Sequence, residues 1–170
     1  MDTEKIKIGE LIKEVVKRKG ITGVWLANGV GSVKSNISNI YKRESINTDL
    51  LIEICVALEF DFYFLFFEYL RNNYSLHAPQ TIQFTGEKIN IGKLIREELE
   101  KEKWKGRLSD LAAKIACDKS IFSKIETREN MDTDLLTRIC IHTEINYYFI
   151  YSEYVREEIR RKNDKIVVFS

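Results

Sequence analysis

Apolar positions Ile8, Leu11, Ile12, Val15 and Val16 recur every three to four residues, separated by lysines and glutamates and closed by Gly20. That spacing predicts an amphipathic helix with one buried stripe. Gly23 opens two shorter helical patterns, over 24–30 and from 34 to about 42, joined by a turn at 31–33. Asn47 stands where a side-chain oxygen can cap a fourth helix, and Asp49 just inside it favours the helix dipole. Leu50, Leu51, Ile54 and Leu58 form the inward stripe of that helix. Asp61 is placed to cap a fifth, in which Phe62, Tyr63, Phe64, Phe66, Phe67 and Tyr69 crowd together.

The pattern then recurs. Residues 40–71 match residues 125–156 at a constant offset of 85, pairing Thr48 with Thr133, Asp49 with Asp134, Leu51 with Leu136, Cys55 with Cys140 and Arg71 with Arg156. Upstream, Ile8, Gly9 and Ile12 match Ile91, Gly92 and Ile95 at an offset of 83. The second copy therefore gains two residues between its first and second helices, where a connecting loop tolerates a change of length. Asp132 and Asn146 take its capping positions. A period this long describes one small domain duplicated rather than a solenoid. Each copy ends in a strand-like run, 81–84 and 165–169. A strand so short needs a partner, so the tails are expected to pair with each other or with those of a second chain. The expectation is an all-α protein of two tandem five-helix domains, each followed by a short β tail. Its boundaries fall at 1–73 for the first domain, 74–88 for a linker, 89–160 for the second domain and 161–170 for the C-terminal tail.

Composition narrows the function. Basic and acidic residues number 10 and 10 in residues 1–85, then 17 and 16 in residues 86–170. A basic surface can therefore arise only from segregation of charge within each half. The apolar run near 60–70 is broken by Asp61 and Glu68 and is too short for a bilayer, and no secretory pattern opens the chain. A cytoplasmic protein without a membrane partner is expected. Cys55 and Cys140 fall on apolar helix faces as buried thiols, and Cys117 reads as a turn residue. His77 and His142 have no neighbours at metal-ligand spacing, so no metal or cofactor is expected. Gly29 to Ser32 with Lys34 lacks the spacing of a phosphate loop, and nothing else suggests an enzyme.

A helix-turn-helix needs a small residue within its first helix, a glycine or small residue at the turn, and apolar positions on the inner face of its second helix. Leu26, Ala27, Val30, Gly31, Ile37 and Ile40 supply these in the first copy. Leu111, Ala112, Ile115, Ala116, Phe122 and Ile125 supply them in the second. On these residues the chain resembles the lambda-repressor-like, or XRE, family of bacterial and phage regulators, over about 6–70 and 89–155. The resemblance implies five packed helices per copy, with the third entering the major groove. Carried over residue by residue, it assigns DNA contacts to Lys34, Ser35, Asn36, Ser38, Asn39, Lys42 and Arg43. In the second copy it assigns Lys119, Ser120, Ser123, Lys124 and Arg128, with Ile121 and Thr127 on the same outer face. The chemistry agrees: asparagine can bond an adenine edge twice, lysine suits guanine acceptors, and serine or a terminal cation suits phosphate. Ala116 stands where the first copy has Gly31, which raises the cost of a left-handed turn. Glu44, Glu126 and Glu129 place acidic groups beside the expected phosphate contacts.

The resemblance therefore implies sequence-specific binding of double-stranded DNA by two tandem modules in a transcriptional regulator, acting as a repressor. The alternative is a non-enzymatic interaction or scaffold module that keeps the fold without reading DNA. The fifth helices carry more aromatics than one amphipathic face absorbs. Phe62, Phe66, Tyr69, Tyr147, Tyr151 and Tyr154 are the candidates for repeat-to-repeat packing or a homodimer interface. A larger intradomain core and a small-molecule pocket are the competing readings.

Overall fold

The computed structural model describes residues 5–80, 82–117 and 120–169, the side chain of Phe169 excepted. Among these the protein is all-α. The first repeat holds α1 (Ile8–Arg18), α2 (Gly23–Gly29), α3 (Lys34–Ile40), α4 (Thr48–Leu58) and α5 (Phe62–Tyr74). The second holds α6 (Ile91–Leu99), α7 (Leu108–Ile115), α8 (Ser120–Ser123), α9 (Thr133–Thr143) and α10 (Tyr148–Phe169), with 3-10 turns at Glu102–Trp104 and Ile125–Thr127.

α1 buries Ile8, Ile12, Val15 and Val16, the stripe its spacing predicts. Its first turn touches the end of α3: the Gly9 N–H donates to the Arg43 carbonyl at 2.9 Å, and Gly92 repeats the bond to Arg128 at 2.9 Å. A Cβ on either glycine would drive into those carbonyls and into that of Ile40 or Ile125. Glycine is required at both positions because backbone meets backbone.

The repeats join at the N-termini of α4 and α9. Asn47 and Asp132 form an isolated antiparallel bridge. Thr48 N–H donates to the Met131 carbonyl and Thr133 N–H to the Ile46 carbonyl, each at 2.9 Å. The Tyr63 hydroxyl donates to the Thr48 carbonyl at 2.5 Å and the Tyr148 hydroxyl to the Thr133 carbonyl at 2.8 Å. Tyr63 stacks on Tyr151 and Phe66 on Tyr148, both with ring centroids 4.7 Å apart. Shifting both members of one contact by the repeat offset returns its counterpart, so the repeats are related by an approximate two-fold.

These stacks absorb part of the aromatic surplus. Phe66 and Tyr151 lie across the repeat boundary as expected, joined by Tyr63 and Tyr148. Phe62 packs on Phe60 within its own repeat, Tyr69 on Tyr74, and Tyr154 against Phe84 of the connecting segment, while Tyr147 is buried. Cys55 and Cys140 are fully buried, and burial pushes the Cys140 thiol up to about 12.

Several expectations need correction. The tail expected as a strand at 165–169 belongs to α10, which runs through Phe169. Ion pairs at helical spacing, Arg160 with Glu157 and Asp164, and Arg161 with Glu157 and Glu158, carry the helix past residue 160. Residues 82–84 are irregular, with Ile82 and Phe84 packed on the core; Thr81 and Ser170 lie outside the described residues. No strand element forms among the described residues, so the expected pairing of tails is absent there. α5 also runs one residue past the expected domain end at 73.

Asn47 and Asp61 cap α4 and α5 as expected, accepting from Asp49 N–H at 2.9 Å and Phe64 N–H at 3.0 Å. Asp132 and Asn146 do not follow them. Asp134 N–H donates instead to the Ser45 hydroxyl of the first repeat at 3.0 Å. The Asn146 amide donates to the Phe67 and Leu76 carbonyls at 3.1 Å. Its first-repeat equivalent, Asp61, accepts from Ser152 at 2.5 Å and Arg156 at 2.9 Å. Contacts between the repeats have taken over positions that the sequence offers as caps.

Candidate nucleic-acid interface

α2 begins where the Thr22 hydroxyl accepts from Trp25 N–H at 3.1 Å. Leu26 and Ala27 are buried, and Gly29 lies against Ala57 of α4, so α2 is pinned between α3 and α4. The chain reverses at Gly31, whose φ of 61° is the left-handed geometry the turn requires. The Ser32 N–H then donates to the Ala27 carbonyl at 2.7 Å. α3 turns Ile37 and Ile40 inward. Lys34, Ser35, Asn36, Ser38 and Asn39 are exposed, and Lys42 and Arg43 follow them on the surface.

Two of those polar groups are oriented locally. The Asn36 amide donates to the Ser32 hydroxyl at 3.1 Å, and the Ser38 hydroxyl donates to the Lys34 carbonyl at 3.3 Å. Lys34, Lys42 and Arg43 form no ion pair with the described residues, nor do Lys124 and Arg128 of the second repeat. Other cations are paired, Lys101 and Lys103 with Glu98, Arg156 with Asp61, Lys162 with Glu59, and Lys88 with Asp49 and Glu129, while Lys13, Lys17, Arg18, Lys19, Lys93, Arg107, Lys114 and Lys165 likewise form no ion pair with the described residues. What sets Lys34, Lys42, Arg43, Lys124 and Arg128 apart is their place, on equivalent elements of the two repeats.

The second turn is built differently. Ala116 holds a φ of 53°, the left-handed conformation despite its side chain. Cys117 N–H donates to the Ala112 carbonyl at 3.1 Å, reproducing the bond made by Ser32. The guanidinium of Arg138 bonds the Ile115 carbonyl and lies 3.4 Å from that of Ala116, while pairing with Asp134 at 3.1 Å. Glu53 occupies the equivalent position in the first repeat, where glycine makes the turn without such help. The Asp134 carboxyl is held below the usual carboxylate range, first by its hydrogen bond from Lys5 and then by Arg138, against its partial burial.

Beyond the turn, the described part of α8 spans Ser120–Ser123. Ser120 and Ser123 are exposed, Ile121 is half-buried against the core, and Phe122 is buried. Lys124 departs from helical geometry at φ −126°, ψ 21°, and a 3-10 turn follows. Lys124, Thr127 and Arg128 are exposed; Lys119, assigned to this face, and Asp118 lie outside the described residues. Of the expected acidic intruders, Glu129 is engaged by Lys88 at 3.4 Å.

The sequence reading missed an apolar rim on the first motif, where Val24, Trp25 and Val33 are 46%, 47% and 58% exposed. It also missed the roles of Gly9 and Gly92, although their equivalence in the repeat was visible. Among the described residues no group of three or more His, Cys, Asp or Glu is placed to hold a metal ion. No described helix is long and apolar enough to cross a membrane. No family model, curated protein or solved structure matches this chain.

Proposed function

We propose that the chain binds double-stranded DNA as a transcriptional regulator, through two lambda-repressor-like helix-turn-helix modules fused into an internal pseudo-dimer. The observation that carries this reading is the outer face of α3. There Lys34, Asn36, Asn39, Lys42 and Arg43 are exposed, and the cations have no carboxylate partners among the described residues. Such a face offers amide groups to base edges and uncompensated charge to phosphate. On this reading the approximate two-fold supplies a second motif for the same duplex, and two such motifs on one duplex are expected one helical turn apart. With few phosphate-binding cations, affinity depends only moderately on salt.

Anisotropy titration of a labelled duplex two turns long tests the proposal. Binding that weakens with salt, and weakens further in Lys34→Ala/Arg43→Ala, is the expected outcome. Equal affinity of the variant and the parent would reject α3 as the contacting element. The exposed Val24, Trp25 and Val33 favour a second reading, in which the same motif docks on a protein. A duplex that leaves Trp25 emission and α3 amides unchanged at saturating concentration would favour it.

A further inference from the structure

We infer that the chain reads bases with one repeat only: α3 specifies a single half-site, while the second repeat grips phosphate without regard to sequence. This rests on the duplex-binding reading proposed above.

Base readout demands that several side chains share one rigid helical stripe, because each must meet a base edge at fixed register. α3 meets that demand, with Lys34, Ser35, Asn36 and Asn39 exposed over a continuous helix anchored by buried Ile37 and Ile40. Its two amides are the groups able to make paired hydrogen bonds to adenine.

The corresponding stretch of the second repeat does not form such a stripe. α8 ends at Ser123, and Lys124, the equivalent of Asn39, stands at the break before the 3-10 turn. The equivalent of Asn36 is Ile121, half-buried on the core and without a hydrogen-bonding group. The hydroxyls of Ser123 and Thr127 donate to the Ser120 and Lys124 carbonyls at 2.8 Å, as that of Ser38 does to the Lys34 carbonyl in α3 at 3.3 Å, so the two elements differ in their amides and helical continuity rather than in their hydroxyls. No bidentate amide remains among the described residues of this element.

Phosphate contact is preserved in both repeats. Arg43 and Arg128 follow their recognition elements at equivalent positions, each with its carbonyl bonded by a glycine N–H of α1 or α6 at 2.9 Å. The backbone anchor at these two positions is the same in both copies, so the copies differ in their base-reading turns and agree at the phosphate-binding ends.

Selection of duplexes from a random library by the full chain decides the matter. The expected result is one specified half-site of about five base pairs, beside flanking duplex that raises affinity whatever its sequence. Asn39→Ala should lose roughly tenfold discrimination at one base pair. Lys124→Ala/Arg128→Ala should weaken every sequence alike and flatten the salt slope by about 2. Two specified half-sites at fixed spacing would overturn the single-reader inference and leave duplex binding standing. Absence of duplex binding at any salt concentration would overturn the proposed function, and this inference with it.

Discussion

Asn47 and Asp132 face each other as an antiparallel bridge at the point where the two repeats meet. Each sits immediately before the helix it introduces, so the N-termini of α4 and α9 are tied together by backbone hydrogen bonds. The contacts around this point are reciprocal and lie within one chain. The stacked faces of Tyr63, Phe66, Tyr148 and Tyr151 are therefore buried against each other within the chain.

One consequence concerns assembly and stability. Tyr151→Ala removes a stacked, buried ring and is expected to cost about 3–5 kcal/mol, lowering a single unfolding transition shared by both repeats. Because the partner surface is intramolecular, the melting temperature should not change with protein concentration. Calorimetry over a wide concentration range checks both; two separate transitions would show that the repeats unfold independently.

The second turn stores strain that the first avoids. Ala116→Gly should raise stability by about 0.5–1 kcal/mol, because the left-handed conformation disfavours a side chain. Gly31→Ala should lower it by about 1 kcal/mol: the added Cβ meets nothing within 4 Å, so only the backbone conformation is penalised. Denaturant melts of both variants measure this, and a destabilised Ala116→Gly would contradict it.

The close approach of α6 to the backbone at Ile125 and Arg128 gives a larger effect. Gly92→Ala places a methyl group into the Ile125 and Arg128 carbonyls and should cost about 3 kcal/mol, the upper end for an overpacked site, because the atoms it meets are backbone. Amide exchange should quicken around Arg128 in this variant. Unchanged protection there would mean that the contact is not an anchor.

Glu98 supplies a pH-dependent term. Burial alone would raise its pKa, but hydrogen bonds from Lys101, Lys103 and Trp104 outweigh that and hold the carboxyl below its ordinary range. A carboxylate with a depressed folded pKa contributes stability that is complete above its unfolded value, about 4.3, and is lost as pH falls through the folded value. Glu98→Gln should therefore lower stability at neutral pH and flatten its decline in acid. The melting temperature measured from pH 7 to pH 3 tests this; parallel curves for the two proteins would refute it.

Periodicity made much of this legible. α1, α4 and α9 follow from their apolar spacing, and the repeat was visible because buried positions such as Ile54 and Ile139, or Cys55 and Cys140, recur in register. The meeting of Ile46 to Thr48 with Met131 to Thr133 was not legible, because it is made by backbone groups that any residue carries. Residues Ile166, Val167 and Val168 suit a strand as well as a helix end, and upstream ion pairs decide between them. In the candidate interface, the types of the α3 residues were readable. The break at Lys124 was not, since no glycine or proline marks it.

The most direct test is amide chemical-shift mapping of the full chain with a selected duplex. Duplex recognition by α3 predicts the largest shifts at Lys34, Asn36, Asn39 and Arg43, with smaller ones at Lys124 and Arg128. Shifts confined to other elements, or none at saturating duplex, would contradict it.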